Sequence, residues 1–558
     1  MEGGPYFPIG NCLEKGREKD KMNQFLKKKI LGKFEIEESI LNQFCEENAK
    51  IWKQNEQKEN GNIFIGLFMV EKWMPWITQK LIFAKGLGDR TGKKPIVVDW
   101  EYNENLEKLY GSYGIDLISL KKEMFGNLTG CLYGLAKAVQ FFLFDGTGVG
   151  MIEMKYKGGR VGQFMYDTVI RTNQDIYTIR KARNKVCFKK IWTTYWFMNS
   201  LNKLYQKYRP EYYIFDDLIY DEGMIVEYMR KQGSKVINGT MDSRLLVPDY
   251  TEDTVHWPDF DKYIMEQVLN GLSDEEKEAY VKQAENALYD RFHGKNGDAR
   301  DSKAAFTGKK ECSREELVKV MGLDPNKKNV VFCSHTLAES AHRCSKQAYQ
   351  DTYTWMEETM KFVRDNDSAN WIIKVHPVAA LKYGEGNVLE SLYEKYRSDN
   401  LFLFPDEYNS ALVGKLADVV VTIYGNAGSE YSCLGIPVIL SGNAVYSGMG
   451  YTIDAFTREA YEKVLSNINE IKPMTEEQMR TAKLVFTYLS RRINQDLDEF
   501  SEKMIALNWK FDAEMMAGNS VKNLNSETIS FISDYSKEKN IKETKWYQNG
   551  QRQEEYVR

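Results

Sequence analysis

The chain has 558 residues, 42 % hydrophobic and 28 % charged, with a formal net charge of −4. That length allows two to four domains with cores of their own, and the nearly balanced charge excludes a general attraction to nucleic acid. Eight cysteines are scattered without a CxxC pair, which argues against a zinc site and against a disulfide framework. Met1–Cys12 lacks the basic-then-apolar pattern of a secretion signal, so a cytoplasmic setting is expected.

Residues 1–60 read as a helical extension rich in Lys and Glu. Its Lys27, Lys28 and Lys29 form either a solvated helix face or a peripheral contact with an anionic membrane surface. From Asn62 short apolar runs alternate with helical stretches. Strands are predicted at Asn62–Val70, Pro95–Asp99, Asp116–Leu120, Tyr212–Phe215 and Lys235–Ile237, with helices at Met74–Ala84, Asn103–Tyr110, Lys189–Tyr208 and Gly223–Gln232. The apolar stretch Leu132–Phe144 is interrupted by Lys137 and Gln140. It is too short to span a bilayer and reads as a buried helix. Residues 145–185 read as an irregular insertion. Such alternation predicts parallel βα units, so 61–250 is expected to form one Rossmann-like domain. Residues 251–326 read as a helical connector that ends in an exposed loop, Gly294–Lys310. A second series, 327–465, carries strands at Asn329–Ser334, Trp371–Val375, Leu401–Phe404, Val419–Thr422 and Pro437–Leu440. Residues 466–558 read as charged helices with a frayed tail after about residue 540. The expected fold is α/β, two Rossmann-like domains facing across a cleft, with extra helices at both termini.

Open α/β sheets bind ligands beyond the C-terminal ends of their strands, and the motifs of this chain fall there. Lys374-Val-His376-Pro377 directly follows a strand, where His376 is placed to meet a phosphate and Lys374 adds charge. Tyr424-Gly-Asn-Ala-Gly-Ser-Glu430 joins a strand to a helix. Gly425 and Gly428 permit close backbone approach, and the helix start at Ser429 favours an anion. Glu430 is suited to accept hydrogen bonds from ribose hydroxyls, or simply to complement the helix dipole. The segment Lys374 to Gly442 is therefore expected to hold an activated sugar.

Here the sequence resembles the capsule polysaccharide biosynthesis proteins of the Kdo-transferase type. The residues that carry the likeness are Trp371-Ile-Ile-Lys-Val-His-Pro377, Ala417-Asp418-Val-Val-Val-Thr422, Gly425-Asn-Ala-Gly-Ser-Glu430, Gly435-Ile-Pro437, and Gly442 through Tyr446 to Tyr451. Upstream, Ser334-His335, Tyr349-Gln-Asp-Thr-Tyr-Thr-Trp355, Gly159-Arg-Val-Gly162, Tyr166-Asp-Thr168 and Arg171 fit the same pattern. The resemblance implies the GT-B arrangement and a nucleotide-activated sugar donor, often CMP-linked, as substrate with no further cofactor. On that basis His376 holds the donor phosphate, Gly428 and Ser429 support it, and Glu430 holds the ribose. No distinctive base-reading residue stands in the donor loop, so UDP- and GDP-linked sugars stay open.

Asp216-Asp217 with Tyr220-Asp221-Glu222-Gly223 follows the strand Tyr212–Phe215. It is similar to the acidic motif before a glycine in bacterial sialyltransferases, where a carboxylate takes a proton from the acceptor hydroxyl. A neutral hydroxyl needs such a base to become a nucleophile. Asp221 is the preferred candidate, ahead of Asp217 and Glu222; each is equally readable as a helix cap or part of a solvated turn. Arg160 and Arg171 are candidates for binding a carboxylate or phosphate of the donor or of a lipid-linked acceptor, with a surface role the alternative. Asp259-Phe-Asp261 resembles a metal-binding DxD but sits in a polar segment. His256, His293 and His342 lack partners at ligand spacing, so no metal site is expected.

The reading is an inverting glycosyltransferase of bacterial capsule or surface polysaccharide synthesis, acting on a glycan or lipid-linked acceptor at the inner face of the membrane. Alternatives are a non-hydrolysing UDP-sugar epimerase, a teichoic-acid-type polyol-phosphate transferase and a non-catalytic carbohydrate-binding protein. Donor, linkage and oligomeric state are not set by these residues.

Overall fold

The computed structural model describes residues 36–52, 61–67, 73–100, 103–173, 175–238, 257–295, 304–344, 346–377, 379, 385–491, 498–516 and 519–552. Lys27, Lys28, Lys29, His256 and the side chains of Asp259 and Asp261 lie outside the described residues.

Five strands, β1 (Asn62–Leu67), β2 (Lys94–Asp99), β3 (Asp116–Ser119), β6 (Tyr212–Phe215) and β7 (Lys235–Asn238), form a parallel sheet ordered β3-β2-β1-β6-β7. The two-residue strands β4 (Lys155–Tyr156) and β5 (Gly159–Arg160) make a separate antiparallel hairpin. A second parallel sheet holds β8 (Lys328–Cys333), β9 (Ala369–Lys374), β10 (Leu401–Leu403), β11 (Val419–Thr422), β12 (Val438–Leu440) and β13 (Thr452–Asp454), ordered β10-β9-β8-β11-β12-β13. In both sheets the first strand lies at the centre and the chain reverses direction beside it. That reversal opens the crevice in which doubly wound sheets hold ligands. The central strands are apolar along their length because helices cover both faces. Val330 to Phe332, Val419 to Val421 and Ile63 to Ile65 are fully buried.

The termini build part of the first domain. One face of its sheet packs on Leu41, Phe44 and Trp52 of the Glu38–Trp52 helix and on Phe500, Met504, Ile529 and Trp546 from the end of the chain. The expectation of a frayed tail after residue 540 therefore fails for the helix Lys545–Arg552, whose Trp546 and Tyr547 are buried. Its backbone lies directly on the helix Met74–Thr91. A Cβ at Gly86 would come within 2.2 Å of the Tyr547 carbonyl oxygen, and one at Gly550 within 2.3 Å of that of Phe83. Gly86→Val is expected to cost at least about 1–3 kcal/mol by forcing these helices apart. A lowered urea midpoint would show it; an unchanged midpoint would mean the two helices are not in contact.

Two further expectations change. The insertion 145–185 contains an eleven-residue helix, Gly162–Thr172, and it carries much of the domain interface. The helix Leu128–Phe144 is not buried all round: Gly130, Gly134, Ala138 and Phe141 face inward, while Leu128, Leu132, Leu143 and Phe144 are exposed.

Candidate functional site

Three motif segments leave adjacent strands of the second sheet at the same edge. Ser334-His335 follows β8, Val375-His376 follows β9, and Ile423-Tyr424 follows β11. Since β9, β8 and β11 are neighbours, their side chains converge. His335 stands between the other two rings, 4.5 Å from Tyr424 and 6.2 Å from His376, centroid to centroid. Ser334 ties the first two segments together: its amide donates to the Lys374 carbonyl at 3.0 Å, and its hydroxyl accepts from the His376 amide at 2.9 Å. Burial, aided by His376 and Arg343, pushes His335 down to about 4, against a weaker opposing pull from Glu339. It is therefore a neutral imidazole at pH 7. Among the described residues, His335 Nδ1, Ser340 Oγ and Ser441 Oγ are buried without a hydrogen-bond partner. Two of these, His335 Nδ1 and Ser441 Oγ, lie just past the ends of β8 and β12, where a polar ligand could meet them.

Between the two domains lies Arg343. Asp217, in the turn after β6, is the strongest influence on it and raises its pKa. Glu339, Tyr424 and Tyr220 add to this against the cost of burial. Its guanidinium lies within electrostatic reach of Asp217 and Tyr220 in one domain and of Glu339 and Tyr424 in the other. Tyr220 adopts a left-handed φ of 51°. Such a conformation is uncommon for a bulky residue, and strain of this kind concentrates at functional sites.

The Gly162–Thr172 helix supplies a clasp. Asp167 accepts from the His342 amide at 3.1 Å and pairs with His342 Nδ1 at 2.6 Å. Tyr166 donates to Asp351 and accepts from the Ile179 amide at 2.8 Å and from Gln350 at 2.6 Å. Burial opposes charge on His342, but Asp167 outweighs it and the pKa is raised above 6.5. A group raised on folding contributes stability that is complete below its unfolded pKa and is lost as pH rises through the folded value. His342→Gln is expected to cost about 1–3 kcal/mol near pH 6 and less at pH 9. Urea titrations at the two pH values check this, and an equal loss at both would contradict a charged clasp.

The remaining candidates fall into two groups. Arg171 lies close enough to Glu385 to lower its pKa, although burial dominates and lifts Glu385 to about 7. The Glu385 carboxylate accepts from the Leu337 and Ala338 amides at 2.6 and 2.7 Å, in the loop that starts at His335. Arg171 thus stands at the domain interface. Others are drawn elsewhere, and the expectations for them are corrected. Arg160 pairs with Glu227 at 2.8 Å within its own domain. Asp221 is half-exposed, ion-paired with Lys190 and bonded to Thr168 at 3.2 Å. Glu222 is buried and accepts from the Asp216 amide at 2.9 Å, a capping role. Asp216 itself pairs with buried Lys80 and with Trp76.

In the second domain, Lys374 lies over Phe404 at 5.3 Å, and burial lowers its pKa. Gly428 is closely packed: a Cβ there would come within 2.2 Å of the Tyr446 hydroxyl. Gly425 does face the cluster, with its Cβ position 3.8 Å from the His335 ring. Ser429 is buried beside Tyr451, whose hydroxyl burial pushes well above its usual pKa. Glu430 Oε1 pairs with Arg291 Nε at 2.7 Å, and burial raises its pKa. That carboxylate oxygen is held by the connector helix Asp274–Phe292. His342 and Arg343 were not singled out as site residues. His335 entered only through the family pattern, though Ser334-His335 repeats the strand-then-histidine arrangement of Lys374-Val-His376. Among the described residues, no cluster of three His, Cys, Asp or Glu side chains is arranged to hold a metal.

Two Rossmann-like sheets turned towards one another at their switch points, with helices from both termini packed on the first, define a GT-B architecture. Residues 310–483 match the family described as Capsule polysaccharide biosynthesis protein. That segment contains the whole second sheet and its three converging motifs. No curated protein matches the chain. Among solved structures, the KpsC beta Kdo 2,4 transferase of Thermosulfurimonas dismutans is 17 % identical, covering 49 % of this chain and 79 % of that one at a TM-score of 0.29. The UDP-GlcNAc 2-epimerase from Neisseria meningitidis is 11 % identical, covering 78 % of this chain and 99 % of that one at 0.22. The wall teichoic acid polymerase TagF is 8 % identical, covering 91 % and 99 % at 0.21. At these scores no residue correspondence follows.

Proposed function

We propose that the protein is a glycosyltransferase of capsule or surface polysaccharide synthesis that uses a nucleotide-activated sugar. The observation that supports this best is the meeting of the two switch points. His335, His376 and Tyr424 stand on one side, Asp217 on the other, and Arg343 lies between. In this reading the donor's nucleotide phosphates lie against His376, His335 and Arg343. Asp217 accepts the proton of an acceptor hydroxyl. The acceptor oxygen attacks the anomeric carbon as its bond to the phosphate oxygen breaks, which inverts the configuration. Arg343 and the histidines stabilise the charge left on the departing phosphate, the effect expected of preorganised donors in a water-poor cleft. A CMP-linked donor is favoured by the family likeness alone; UDP- and GDP-linked sugars are tested beside it. The acceptor is a glycan or a lipid-linked glycan.

The discriminating experiment follows a candidate donor by NMR with and without an oligosaccharide acceptor. Sugar transfer only in the presence of acceptor supports the proposal. Conversion of a UDP-sugar without acceptor would assign an epimerase, and transfer from CDP-glycerol a polyol-phosphate transferase. The histidine adds a second check. A phosphate beside His335 raises its pKa from about 4, so binding takes up a proton between that value and the raised one. Affinity is then expected to fall as pH rises through the raised value. Calorimetry near pH 5.5, in two buffers of different ionisation enthalpy, should report net proton uptake of about one or less. Identical heats in both buffers would remove His335 from the phosphate site.

A further inference from the structure

The Leu128–Phe144 helix has two unlike faces. Its inner face carries Gly130, Gly134, Ala138 and Phe141 and lies hard against the helix Lys185–Tyr208: a Cβ at Gly134 would come within 2.3 Å of the Trp192 carbonyl oxygen. Its outer face is apolar and open. Leu128, Leu132, Leu135, Val139 and Leu143 recur every three or four residues, which places them on one stripe. Leu128, Leu132 and Leu143 are each more than half exposed, and Phe144, beside the stripe, is 82 % exposed. Phe125, 67 % exposed, extends the stripe at its start. Contiguous open apolar surface of this kind on a folded protein marks a docking face.

The charge around the helix says what docks there. Residues 120–208 contain fifteen Lys and Arg against five Asp and Glu, in a chain whose net charge is −4. The two helices run antiparallel, with Phe142 against Phe188 at 5.0 Å and Asn127 bonded to Asn199 at 3.0 Å. Exposed Arg183, Lys185 and Lys189 therefore flank the C-terminal end of the stripe, and Lys203, bonded to Thr129 at 3.2 Å, flanks its start. Glu123 and Asp145 are the acidic residues at its two ends, and Asp145 lies beside Arg183. Trp192 and Trp196 stack along the side, 6.3 Å apart, as amphipathic rings do at a lipid headgroup level. A second copy of this chain would set one basic rim against another, whereas an anionic bilayer neutralises it. At seventeen residues with Lys137 at its middle, the helix is too short and too polar to cross. Among the described residues, no helix is long and apolar enough to cross a membrane.

We propose that the Leu128–Phe144 helix is an interfacial docking face for an anionic lipid bilayer, lying in the membrane plane with its leucine stripe among the acyl chains and the surrounding lysines on the headgroups. This goes beyond the sugar-transfer reading and does not depend on it. The test is flotation of the full chain with vesicles of phosphatidylglycerol and phosphatidylcholine, or of phosphatidylcholine alone. Binding is expected to the anionic vesicles and to weaken at high salt. Leu132→Asp/Leu143→Asp and, separately, Lys185→Glu/Lys189→Glu are each expected to lower partitioning at least about tenfold. All four residues are at the surface, so circular dichroism should be unchanged. No flotation with anionic vesicles, or binding retained by both variants, would overturn the proposal. So would a dimer in sedimentation that Leu132→Asp/Leu143→Asp makes monomeric in the absence of lipid binding, since the face would then belong to a second copy.

Discussion

Asp217→Asn is expected to lower kcat by about 10²–10⁴-fold, the range a positioned base contributes, while donor affinity changes little. The expectation rests on where the three acidic candidates lie. Glu222 is buried beneath the turn and caps the Asp216 amide. Asp221 faces outward onto Lys190. Asp217 alone of the three is shown acting on Arg343, the residue that joins the domains. Its Oδ1 accepts from the Leu218 amide at 2.8 Å, which fixes the carboxylate in the turn. Asp221→Asn is the control and is expected to stay within about threefold, the loss of a half-exposed pair. Steady-state kinetics on both variants decide the matter. A crippled Asp221→Asn beside an active Asp217→Asn would move the base to the outer side of the turn.

The second large effect is expected from His376→Ala. Loss of a hydrogen bond to a charged phosphate costs about 1.5–3 kcal/mol, or roughly 10- to 100-fold in nucleotide affinity. The ring is only partly buried and its segment is held through the backbone by Ser334, so the fold should survive. The His335–Tyr424 contact remains in the variant. A change confined to kcat, with nucleotide affinity intact, would give His376 a role on the sugar rather than on the phosphate.

Much of the architecture is written in local pattern. Central strands carry short apolar runs such as Val419–Val421 and Trp371–Ile373 because both faces are covered, and the helices between them carry a regular stripe. Strand ends are also where His376 and Tyr424 had to emerge. What was not legible depends on partners distant in the chain. Gly428 looks like a phosphate cradle until Tyr446 is placed against it. Glu430 looks like a ribose ligand until Arg291 arrives from the connector. Asp221 and Asp217 are four residues apart in one turn, and only the positions of Lys190 and Arg343 distinguish them. The leucine-rich Leu128–Phe144 stretch has the composition of a core helix, yet Gly130, Gly134, Ala138 and Phe141 face the protein while most of its leucines do not. The strand β13, Thr452-Ile-Asp454, has a single apolar residue and is only partly buried, so no apolar run marks it.

The central claim is that the cleft between the two sheets binds a nucleotide-activated sugar through the histidine cluster. The most direct measurement is a thermal-shift panel of CMP, CDP, UDP and GDP on the wild-type protein and on His376→Ala. Binding to the folded state raises stability by mass action, by about 2.7 kcal/mol at a hundredfold excess over Kd. One nucleotide is expected to raise the wild-type melting temperature and to raise that of His376→Ala far less at the same concentration. No shift with any nucleotide, or an equal shift in both proteins, would contradict the account.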